Sequence, residues 1–72
     1  MSNILITVGN KYLPSVTETF YHPMVDMTDL EEMGYLANES CGIYLDLYSD
    51  AMPKDIDSET IAEACFYSIE EG

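Results

Sequence analysis

Seventy-two residues, 47% of them apolar, are enough for one small domain over residues 1–72 and too apolar for a chain that stays unfolded. Fourteen Asp and Glu against two Lys leave a formal net charge of −12, beyond the magnitude of about 2–8 usual for a small domain. Such a surface repels nucleic-acid phosphates and anionic membranes, whereas a basic partner protein, a cation or a high-salt cytoplasm suits it.

Residues 3–8 (NILITV) are β-branched and apolar on both alternations, which predicts a strand covered on both faces and ended by Gly9-Asn10. A turn is expected at residues 13–15 (LPS), then an edge strand over residues 16–21 (VTETFY) that stops at His22-Pro23. Thr28-Asp29-Leu30-Glu31 reads as a capping box opening a helix, with Leu30, Met33 and Ala37 on its buried stripe. Gly34 weakens that helix, and Asn38 to Gly42 ends it. Residues 42–48 (GIYLDLY) alternate like a third strand: Ile43, Leu45 and Leu47 on one face, Tyr44, Asp46 and Tyr48 on the other. Beyond Pro53, an Asp57 N-cap with an Ile56–Ile61 staple opens a last helix, on which Ile61, Ala62, Cys65, Phe66 and Ile69 share one side. The expected fold is α+β: a small three-stranded sheet with two helices packed on one face, in the order β-β-α-β-α. The other face would then be open, with Tyr44, Asp46 and Tyr48 lying on it.

No catalytic residue stands out. His22 and Cys41 could form a base–thiolate pair, yet no cation lies near either to activate the thiol. Asp55, Asp57 and Glu59 begin like a calcium loop, but Thr60 and Phe66 occupy the places where that loop needs Gly and Glu. No metal and no cofactor are therefore expected, and the chain is read as a non-enzyme. Cys41 and Cys65 are too few for a secreted disulfide scaffold and are expected as free thiols. The segment MSNILITV has no signal-peptide pattern and no stretch is long enough to span a membrane, which points to the cytoplasm.

What remains is the pattern of acids. Glu59 and Glu63 stand four residues apart on the expected last helix, Asp29 and Glu32 three apart beside Glu31 on the first, with no lysine interleaved. Together with Tyr44, Asp46, Tyr48, Asp50, Asp55 and Asp57, these residues form the candidate partner-binding set. Carboxylates spaced along a rigid helix approach the charge density of a phosphate backbone, and tyrosines stack on guanidinium planes.

In size, acidity and lack of catalytic groups, the chain resembles the small acidic proteins that phages direct against host defence. Some of these mimic DNA and block restriction enzymes, uracil-DNA glycosylase or CRISPR surveillance complexes. The resemblance rests on composition and on Asp26, Asp29, Glu31, Glu32, Asp46, Asp50, Asp55, Asp57, Glu59 and Glu63. It implies an inhibitor, of anti-CRISPR type, that fills the DNA-binding channel of a basic host complex in the host cytoplasm and does not itself bind nucleic acid. The alternative is an acidic adaptor or antitoxin-like module that binds a basic partner by shape-specific contacts.

Overall fold

The computed structural model describes residues 1–72. The chain runs through β1 (Ser2–Asn10), β2 (Leu13–Val25), α1 (Leu30–Leu47), a 3-10 turn (Ser49–Ala51), α2 (Ser58–Glu63) and β3 (Cys65–Glu71). The three strands form one antiparallel sheet in the order β2-β1-β3. The expected class holds, an α+β fold with a three-stranded sheet and two helices, but the last helix and last strand come in the reverse order.

β1 is central because it is the most β-branched run in the chain and pairs on both edges. Its Ile4, Ile6 and Val8 point to the helices and are fully buried. Leu5 and Thr7 point to the other face and are only half-buried, so the expected cover on both faces is not there. The register puts Phe20, Ile69 and Cys65 on the helix side with them. Val25, Tyr44, Met52 and Ile61 complete the core. With 11 of 72 residues buried, this core is small, as expected for a domain of this length.

The turn between β1 and β2 is the pair Lys11–Tyr12, and residues 13–15 belong to β2. Asn10 determines this: its Oδ1 accepts the Tyr12 amide at 2.9 Å, a side-chain mimic of a backbone turn. β2 is an edge strand as expected, but it continues past His22-Pro23. A register shift opposite Ser2–Ile4 inserts a bulge there, where proline's missing donor costs nothing, and Met24 takes a left-handed φ of 59°. Asn3 Oδ1 accepts the Met24 amide and holds the bulge.

α1 begins one residue later than the capping-box reading, with Asp29 at the N-cap accepting the Glu32 amide at 3.2 Å. The helix then passes through Asn38–Gly42 and takes in the segment expected as the third strand as far as Leu47, with Tyr48 as its C-cap. The apolar alternation over residues 43–47 misled because Met33, Ala37, Ser40, Tyr44 and Tyr48 supply a continuous helical stripe that buries better. The third strand is instead β3. Ile61, Cys65 and Ile69 have helical spacing, but Cys65, Tyr67 and Ile69 also alternate, and β3 satisfies the edge of β1 that would otherwise stand unpaired. α2 keeps the expected Asp57 N-cap backbone, without a side-chain capping bond, and Ile56 packs on the core beside Ile61. No helix is long and apolar enough to cross a membrane.

Candidate functional site

Both helices lie on the Ile4–Ile6–Val8 face, so the molecule has a helical side and an open sheet side, within extents of 42 × 21 × 15 Å. The acids divide between these sides unequally. All but Glu18, Glu70 and Glu71 fall between Asp26 and Glu63, in the helical half of the chain. On the open sheet face, Leu5, Thr7, Gly9, Thr17, Thr19, Tyr21, Phe66 and Ser68 are uncharged, and Glu70 is the only acid.

Tyr44, Asp46 and Tyr48, expected on that open face, all belong to α1 or its C-cap. Tyr44 is wholly buried, with its hydroxyl donating to the Val16 carbonyl at 2.8 Å. Tyr48 is half-buried and donates to the Glu18 carboxylate, and the two rings pack 4.9 Å apart at 49°. They clamp α1 to β2 and do not offer rings to a partner. Burial pushes the Tyr44 phenol up, and the bond to the Glu18 carboxylate pushes up that of Tyr48.

Asp46 points outward, and the longer helix gives it neighbours. Residues 32, 39 and 46 recur every seven positions, so Glu32, Glu39 and Asp46 form one exposed stripe with about 10 Å between successive acids. Tyr35 lies on the same stripe, 65% exposed. The Glu39 carboxylate beside it pushes the phenol up. Sequence reasoning missed Tyr35 and Glu39. The seven-residue period was readable once α1 was allowed to extend to Leu47.

The other expected site residues are also exposed. Asp29 and Glu31 sit at the start of α1, Asp50 in the 3-10 turn, Asp55 in the following loop, Asp57 at the N-cap of α2, and Glu59 and Glu63 along it. The structure thus brings Glu32 and Asp46 onto one line, while Asp50, Asp55 and Asp57 gather around the α1–α2 connection. Asp26 is occupied locally: the Thr28 hydroxyl and amide hydrogen-bond its carboxyl and hold it below the usual range.

Several other polar groups tie the fold together. Asn10 Nδ2 donates to the Ile61 carbonyl at 2.8 Å and to Cys65 Sγ at 3.2 Å, tying the hairpin turn to α2 and β3. Ser40 Oγ donates to the Leu36 carbonyl at 2.8 Å and lies 3.1 Å from His22 Nε2. With its one proton committed to Leu36, Ser40 accepts from the imidazole. Cys41 and Cys65 are free thiols; burial, helped by the adjoining Cys65 thiol, pushes Cys41 up to about 11, so it is not an activated nucleophile. No group of three or more His, Cys, Asp or Glu side chains is placed to hold a metal ion.

The arrangement defines a small α+β protein with a one-sided acidic layer. Compared with known proteins, the chain matches no family model, no curated protein and no solved structure.

Proposed function

We propose that the chain is a DNA-mimic inhibitor. Its helical layer occupies the cation-lined, DNA-binding channel of a host defence complex, in the manner of an anti-CRISPR protein. The observation that carries this reading is the Glu32–Glu39–Asp46 row on an 18-residue helix about 27 Å long, within a layer that holds most of the chain's acids. A rigid row meets a cationic groove without the ordering cost that a flexible acidic tail would incur. Tyr35 on the same stripe offers the exposed ring that a guanidinium can stack upon.

The test is capture of a partner from a host lysate on the immobilised chain, followed by competition. Duplex DNA should displace the partner, and affinity should fall steeply as salt rises. Reversing Glu32, Glu39 and Asp46 to lysine should abolish binding, whereas reversing Glu70 and Glu71 should leave most of it. Equal losses from the two sets would remove the case for a patterned site.

A second reading is favoured by the open sheet face, where Tyr21 and Phe66 are each more than half exposed. An acidic adaptor or antitoxin-like module would dock a basic partner there by shape, with charge only steering the approach. Duplex DNA would not displace such a partner, and Tyr21→Ser with Phe66→Ser would.

A further inference from the structure

Where the C-terminal end of α1 meets α2, a cleft of about 320 Å³ opens to the surface. Met52 and Ile61, both core residues, line it, together with Leu45, Pro53 and Ile56, and Lys54 adjoins them. The connecting loop alternates. Lys54, Ile56 and Ser58 line the cleft, and the intervening Asp55 and Asp57 are exposed; Asp50 follows the lining residue Ser49 in the same way. The residues that line this apolar depression, which reaches the core, thus alternate along the chain with exposed carboxylates.

We infer that this cleft is a socket for a single large apolar side chain carried on a cationic segment of the partner protein. The inference rests on the reading of the acidic layer as a contact surface. The cleft lies at the bottom of the roughly 300–1,000 Å³ range of small-molecule pockets, which suits one anchoring side chain better than a whole ligand. An apolar anion would gain Lys54 but meet the field of a chain with net charge −12. One exposed lysine contributes little against three neighbouring acids. A segment with Lys or Arg on both sides of Leu, Phe or Met meets no such conflict: its cations face Asp50, Asp55 and Asp57 while its anchor reaches Met52 and Ile61. The Lys54 stem can lie along the apolar wall with its ammonium in water. Met52 adds an adaptable surface that accepts more than one anchor shape. This is the layout of an interface hot spot, an apolar centre inside a polar rim. It gives the acidic layer what a row of charges lacks, a means of choosing among cationic partners.

The test uses the full chain and two probe peptides. One is a short lysine–glycine peptide with one central leucine, and the other carries serine in its place. Affinities are measured at low and moderate salt, with the Met52, Ile56 and Ile61 methyl groups followed by NMR. The leucine peptide should bind at least about tenfold more tightly, the effect of burying one such side chain, and should shift those methyl resonances. Equal affinities that both fall with salt would overturn the socket and leave the acidic layer as a cation-binding surface. Failure of both peptides to bind at low salt would overturn both readings.

Discussion

Tyr44 joins two layers of the molecule. Its ring fills the space between α1 and β1, and its hydroxyl satisfies the Val16 carbonyl of β2. Removing the hydroxyl in Tyr44→Phe should cost about 1 kcal/mol, the net value of one hydrogen bond. Tyr44→Ala should cost about 3–5 kcal/mol by opening a cavity, enough to unfold most of so small a domain at room temperature. Urea midpoints of the two variants would check this, and comparable midpoints would mean that the ring is not core. Cys41 offers a second measurement. Its thiol moves from an ordinary 9.0 to about 11 in the folded protein. A raised folded value means that the native state holds the proton more tightly, so this contribution is complete below pH 9 and is lost as pH rises through about 11. The raised Tyr44 and Tyr48 phenols have the same sign from an ordinary 10.0 upward. Urea midpoints should therefore begin to fall near pH 9, and Cys41→Ala should hold its midpoint until the tyrosines titrate. Superimposable profiles for the two proteins would contradict the assignment.

Helix α1 decides where the candidate site lies, and its sequence is not that of a strong helix. Gly34 and Gly42 interrupt it, and at neither does anything beyond the adjacent residues and the helix's own backbone lie within 4 Å of the place a Cβ would occupy. Neither has a positive φ. Gly34→Ala and Gly42→Ala should each stabilise the protein by up to about 1 kcal/mol, since alanine removes the entropic penalty without a clash. Thermal unfolding of the two variants and their double mutant is the measurement, and a fall in melting temperature would show that one glycine is needed for packing. The same weakness explains the misreading of residues 42–48. Glycine at 42 resembles a stop, and the apolar–polar alternation that follows resembles a strand. The helix continues because Ser40, Tyr44 and Tyr48 find partners on β2, an energy that no local window contains. β3 is the converse case. Residues 65–71 carry a helical period as well as an alternating one, and the free edge of β1 selects the second.

The charge acts on the whole molecule. Carboxylates crowded on the helical side repel one another in the folded state and move apart on unfolding, so salt should stabilise the protein at neutral pH by screening them. The urea midpoint should rise with added sodium chloride, and more steeply for the wild type than for a Glu32, Glu39 and Asp46 to Asn or Gln triple variant. A midpoint indifferent to salt would mean that the acids are too far apart to conflict, and the charged row would lose its physical basis. This one-sidedness was only half legible in the chain. Composition, net charge, the two N-terminal strands, the helix start near residue 29 and the Asp57 cap follow from the sequence, because each depends on residue type or on neighbours a few positions away. So does the α+β class with its three strands and two helices. The place of the third strand, the burial of Tyr44 and the alignment of Glu32, Glu39 and Asp46 depend on which edge of β1 needs a partner and which side chains can reach β2. Those contacts join residues far apart in the chain, and only the assembled sheet and helices bring them together.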